Sequence, residues 1–182
     1  MSCSESRTVT KSTGTVFETL PRSQVRTSSP DTSQTFAPVE LEVLAENSAT
    51  MFIDAALAKD IDLGFEIAPA SAPGISWMLQ EALSNLIDNA IRYTPQGGVI
   101  TVRSGVVDGR PFLEVQDSGP GIPEDQIEHV CKRFYRIPGS PGNGCGLGLA
   151  IVREIAELHG TTLAFRNTPP TGMTARLEFP AH

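Results

Sequence analysis

The chain has 182 residues, a formal net charge of -7 and 40% apolar residues, enough for one domain with a sizeable core. The acidic balance argues against a nucleic-acid partner, which needs a basic face, but not against a nucleotide, whose phosphates are met locally by backbone dipoles and Mg²⁺. No apolar run approaches the ~20 residues that cross a bilayer, the first residues are followed by no signal-like apolar stretch, and Cys3, Cys131 and Cys145 form neither a disulfide framework nor a zinc site, so a cytoplasmic setting is expected.

Residues 1–36 hold 16 Ser or Thr and few large apolar side chains, and Pro21, Pro30 and Pro38 interrupt any helix there. Residues 1–37 are therefore read as a disordered tail and 38–182 as the folded domain. Leu41, Leu44, Ala45, Ser48, Phe52, Ala55 and Ala56 recur at helical spacing and predict one helix over 40–59. Alternation predicts a strand over 61–67, and 71–74 reads as a turn. A second helix is predicted over 75–93, stopped by Thr94-Pro95-Gln96-Gly97-Gly98. Residues 99–106 and 112–116 read as a hairpin about Asp108-Gly109. Pro123-Glu124-Asp125-Gln126 begins a short helix, 131–146 is a polar, mobile loop, 147–159 a third major helix, and 163–166 and 174–179 closing strands. This order predicts a two-layer α/β sandwich with helices on one face of a mixed, mostly antiparallel sheet. It lacks the regular alternation of a dinucleotide-binding fold.

Three segments carry chemistry. At 100° per residue, Glu81, Asn85, Asn89 and Arg92 share one helical stripe about 80° wide, opposite Leu79, Leu83, Leu86, Ile87 and Ala90. Most polar stripes are simply solvated, but Asn is a mediocre helix former, and two of them one turn apart suggest amides in use. An Asn carbonyl suits Mg²⁺, which takes oxygen ligands. Asp117-Ser118-Gly119-Pro120-Gly121 can be only a β-turn, or it can offer an acceptor to an adenine amino group while Gly119 and Gly121 allow close approach. Gly142, Gly144, Gly146 and Gly148 lead straight into an apolar-faced helix, whose N-terminus attracts phosphate. Neither common phosphate fingerprint fits this loop.

Together these segments resemble the catalytic and ATP-binding domain of sensor histidine kinases across roughly residues 38–180. Residues 81–95, from Glu81 through Asn85 and Asn89 to Pro95, are similar to the N box. Asp117-Ser118-Gly119-Pro120-Gly121-Ile122 is similar to the G1 box, Arg133-Phe134-Tyr135-Arg136 to the F box, and the run from Gly144-Cys145-Gly146-Leu147-Gly148-Leu149 to Val152 to the G2 box. The resemblance implies the Bergerat-type ATP-binding fold shared with gyrase, Hsp90 and MutL, and Mg-ATP as ligand. It implies that Asn89 ligates Mg²⁺ with Asn85 assisting, that Arg92 approaches the phosphates, that Tyr93 stacks on adenine and that Asp117 holds its amino group. Gly119, Gly121 and Ile122 belong to the base-binding turn. Arg133, Phe134, Tyr135, Arg136 and the loop to Cys145 form a lid. Gly144, Gly146 and Gly148, with Leu147 and Leu149, shape the phosphate cradle. His159-Gly160 ends the helix that follows.

Two departures matter. ATP-hydrolysing and anti-sigma relatives carry Glu where Asn85 stands, and Asn cannot take a proton from water, although Glu81 lies one turn away. The histidines His129, His159 and His182 all fall inside or after the ATP module, so the resemblance implies a histidine-bearing acceptor and dimerisation domain, and a response regulator, in trans. A non-catalytic ATP-binding or docking module and an anti-sigma-type serine kinase are the alternatives. Cys145 stands where Ser or Thr is usual, a neutral swap or a redox-sensitive one.

Overall fold

A computed structural model describes residues 35–140 and 145–181. Its centre is a five-stranded sheet built from β2 (Asp62–Ile67), β4 (Val99–Val107), β5 (Arg110–Asp117), β6 (Thr162–Asn167) and β7 (Met173–Glu178), in the order β2-β4-β5-β7-β6. Only β2 and β4 run parallel; the other neighbours are antiparallel. A separate two-stranded ribbon pairs β1 (Ala37–Glu40) with β3 (Ser71–Gly74). The helices are α1 (Leu41–Thr50), α2 (Ile53–Leu57), α3 (Ser76–Tyr93) and α4 (Gly148–Leu158). The architecture is the expected mixed, mostly antiparallel α/β sandwich.

Period-2 alternation decides which face is covered. Ile100 and Val102 of β4, Leu113 and Val115 of β5, and Ala175 and Leu177 of β7 are buried against Leu79, Leu83 and Ile87 of α3, Leu41 and Leu44 at α1, and Val152 of α4. The predicted apolar face of α3 is the buried one: Leu79, Leu83, Leu86, Ile87 and Ala90 all lie in the core. On the other face a single cross-strand row reads Glu66, Arg103, Glu114, Arg176 in register. Alternating charge pairs the row across the strands without like-charge neighbours. The β4–β5 hairpin turns at Asp108 (φ 51°) and Gly109 (φ 73°), the two left-handed residues that a tight two-residue turn needs.

Two expectations need correction. The helix over 40–59 is interrupted at Met51–Phe52, where Phe52 N–H donates to Ala49 O at 3.0 Å. No Gly or Pro marks the break; Phe52 packs on the core and packing overrides propensity. The turn at 71–74 is instead the strand β3, because its partner β1 comes from 34 residues earlier. Ala37 begins that partner, one residue before the expected domain boundary. Residues 1–34 of the Ser/Thr-rich tail lie outside the described residues. At the far end of α3, Lys59 Nζ donates to Ile91 O and Arg92 O at 2.8 and 2.9 Å, satisfying carbonyls that a helix end leaves open.

Candidate nucleotide site

A cleft of about 620 Å³ opens between α3, the end of β5, the segment 120–140 and the start of α4. Asn85, Asn89, Arg92 and Tyr93 reach it from α3, Asp117, Gly121 and Ile122 from β5 and the turn after it, and Cys145, Gly146, Leu147, Gly148 and Leu149 from the approach to α4. Tyr135 and Arg136 line it from the intervening segment. One cleft thus gathers most of the residues that the sequence singled out, from segments up to 64 positions apart.

The α3 side is set by packing. Asn85 Nδ2 donates to Glu81 O at 2.9 Å and to Glu81 Oε1 at 3.1 Å. The Glu81 carboxylate, on the exposed side of the stripe, therefore holds the Asn85 amide rather than lining the cleft itself. Gly148 sits against the same amides: a β-carbon there would lie 2.9 Å from Asn85 Oδ1 and 3.4 Å from Asn89 Nδ2. Asn89 Nδ2 is buried without a protein partner, an orphan that native interiors rarely leave uncompensated. Arg92 pairs with Asp88 at 2.9 Å within α3. The start of α4 is uncapped by any side chain, and the first N–H groups of a helix have no intrahelical acceptors.

Across the cleft Asp117 is 6% exposed. Burial pushes its carboxyl above the ordinary aspartate range, opposed by hydrogen bonds from Gly119 and Met173 backbone groups; Gly119 N–H donates to Oδ1 at 2.8 Å. The walls near it are apolar, with Ile122, Val130, Ile137 and Met173. That combination of apolar surface and one aimed acceptor suits a flat heteroaromatic ligand.

Some expected residues lie elsewhere. Gly119 is outside the lining; a β-carbon there would meet Asp117 Oδ1 at 2.8 Å and Tyr93 O at 3.2 Å, so its small size serves the packing of the turn. Arg133 is bound to Glu154 of α4 at 2.7 Å, and Phe134 is 72% exposed with φ 63°; neither lines the cleft. Gly146, at φ 70°, accepts from Phe134 N–H at 2.8 Å and leaves no room for a β-carbon against Tyr135 O. Gly144 lies outside the described residues. His159 closes α4 and Gly160 follows at φ 61°, as expected. The sequence reading missed Met173 and Val130, apolar residues outside every motif it singled out.

Residues 74–182 match the family described as histidine kinase-, DNA gyrase B-, and HSP90-like ATPase. The chain belongs to this family. Sensor protein QseC of Salmonella typhi is 38% identical over 144 residues, covering 78% of this chain and 31% of that protein. The chain thus spans about a third of the length of such curated relatives. The structure of a mycobacterial sensor histidine kinase, MprB, superposes with a TM-score of 0.69 at 31% identity, over 80% of this chain and 97% of that one. Full-length ShkA, solved in complex with AMPPNP, superposes with a TM-score of 0.69 at 26% identity over 80% of this chain and 31% of that one. Within the ATPase family the chain is a catalytic and ATP-binding domain of the sensor-histidine-kinase type. Domains of this family bind Mg-ATP. Among the described residues no helix is long and apolar enough to cross a membrane.

Proposed function

We propose that the cleft binds Mg-ATP and presents the γ-phosphoryl group to a histidine on another domain or chain, from which the phosphoryl passes to a response regulator. The observation that carries this reading is the contact of Gly148, at the uncapped start of α4, with the amides of Asn85 and Asn89. Helix N–H groups attract phosphate, and amide oxygens suit a hard cation beside it. The partnerless Asn89 Nδ2 is a donor that suits a phosphate oxygen, and the Asn89 amide oxygen would hold Mg²⁺, with Asn85 assisting. Mg²⁺ there would neutralise phosphate charge. Arg92 borders the phosphate end, Tyr93 supplies an aromatic face for adenine, and Asp117 accepts from its amino group. Tyr135, Arg136 and Cys145 border the opening, as parts of a lid.

The chemistry asked of these residues is positioning and charge neutralisation. Asn85 offers no base, and Glu81 is turned away from the cleft and occupied by Asn85. Water is therefore poorly activated, which favours transfer to an imidazole nitrogen, with ADP leaving, over hydrolysis. Calorimetry with a non-hydrolysable ATP analogue, with and without Mg²⁺, tests the reading. Saturable, Mg²⁺-dependent binding supports it; no binding by the folded chain overturns it.

A further inference from the structure

Ile122, in the wall of the cleft, is held from outside its own segment. At the end of β6, an edge strand of the sheet, Asn167 turns its side-chain amide onto the Ile122 main chain. Oδ1 accepts from Ile122 N–H at 2.9 Å and Nδ2 donates to Ile122 O at 2.7 Å. This is the two-point pairing that a neighbouring strand residue would give, supplied by a side chain to a segment without a strand partner. The turn is shaped to receive it. Gly121 has φ 76°, and a β-carbon there would lie 2.6 Å from Asn167 Oδ1. At the other end of the β6–β7 connection, Gly172 (φ 127°) lies so close that a β-carbon would collide with Asp117 O. The β6–β7 connection therefore meets the turn after β5 at its two ends, Gly172 against Asp117 and Asn167 on Ile122.

We propose that Asn167 is a positioning residue for the base end of the nucleotide site. It touches no cleft surface itself. It fixes Ile122 and the backbone after Asp117, so that the apolar wall and the carboxylate face one ligand plane together. The inference rests on the nucleotide reading above and adds a division of labour: the phosphate end is set by α3 and α4, the base end by the β6–β7 connection.

The test uses the 182-residue chain with Asn167→Ala and Asn167→Asp. The aspartate keeps an acceptor for Ile122 N–H and sets an oxygen against Ile122 O. Calorimetry with Mg²⁺ reads the affinity for a non-hydrolysable ATP analogue and for inorganic triphosphate, and thermal melts check folding. Loss of one two-point bracket predicts about a tenfold weaker ATP analogue and an unchanged triphosphate. A lower melting temperature with equal loss of both ligands, or no change in either, overturns the positioning role. If Asn167→Ala does not fold, the same comparison on Asn167→Asp decides. Failure of the unmutated chain to bind the analogue overturns the nucleotide reading itself, a different result from equal loss in the variants.

Discussion

The Cα of Gly148 faces Asn85 so closely that the smallest side chain would put a carbon 2.9 Å from the amide oxygen. Asn85 cannot retreat freely, because Glu81 holds its nitrogen at two points. Gly148→Ala is therefore a test of the cradle rather than of the fold. At the first position of α4 alanine gains little of its helix-interior advantage over glycine, but the atom it meets ends a side chain. The melting temperature should hold or fall only slightly, while Mg²⁺-dependent affinity for the ATP analogue falls at least about tenfold, roughly 1.4 kcal/mol. Undiminished affinity would show that the phosphates are bound elsewhere.

Asp117 couples binding to stability with opposite signs. Burial raises its carboxyl above its unfolded value, against the pull of the Gly119 and Met173 backbone groups. The folded chain then binds a proton more readily than the unfolded one. Its contribution to stability is fully present below the ordinary aspartate range and is lost as pH rises through the folded value. Asp117→Asn removes the charge and keeps an acceptor for Gly119 N–H. The ligand-free variant should match or exceed the parent in melting temperature at pH 7, with the gap closing towards pH 3, yet bind the ATP analogue more weakly. A variant that loses stability at neutral pH would show that the ionised carboxylate is favoured by its surroundings.

How much of this was legible beforehand follows from sequence distance. The α3 stripe was readable because 3.6-residue periodicity is local: the same count that places Leu83 and Ile87 in the core places Asn85 and Asn89 opposite. The β4–β5 hairpin was readable because Asp108-Gly109 demands its own turn. β3 was not, because Ala72-Pro73-Gly74 reads as a turn until β1, from 34 residues earlier, pairs with it. Asn167 is a polar residue ending a strand until Ile122, 45 positions away, arrives beside it. In the F-box segment the motif named the right stretch but not its inner side: Tyr135 lines the cleft and donates its hydroxyl hydrogen bond to Gln126, whereas Phe134 faces solvent. Only the backbone path decides that.

The charged row on the open face makes a contrasting pair of predictions. Glu114 is 8% exposed, with Arg103 at 3.2 Å and Arg176 at 3.5 Å. Glu114→Gln removes the charge that two half-buried guanidinium groups share and should lower stability by about 1–3 kcal/mol. Glu66 also meets Arg103, which holds its carboxyl below the usual glutamate range, but it lies at the solvent-exposed edge of the row. Exposed pairs contribute little, so Glu66→Gln should barely move the melting temperature. Urea denaturation of both variants ranks them; equal losses would mean that the row acts as a unit.

His159 joins the two helices that flank the cleft. Its Nδ1 lies 2.7 Å from Ile155 O in α4, a contact that requires the proton on Nδ1, so Nε2 accepts from Ile75 N–H, just before α3, at 3.0 Å. The ring is 6% exposed and fits only because Gly74 has no side chain: a β-carbon would lie 3.1 Å from it. His159→Phe keeps a ring in the space but offers Ile75 no acceptor. An unsatisfied buried N–H costs about 1–3 kcal/mol, and that loss should appear in denaturant melts together with faster hydrogen exchange at Ile75. Since α4 runs from Gly148 at the cleft to this anchor, loosening it should also weaken Mg²⁺-dependent analogue binding, by less than Gly148→Ala does. Retention of full stability, with Ile75 still protected, would mean that another acceptor takes the proton and that the imidazole does not hold the helices in register.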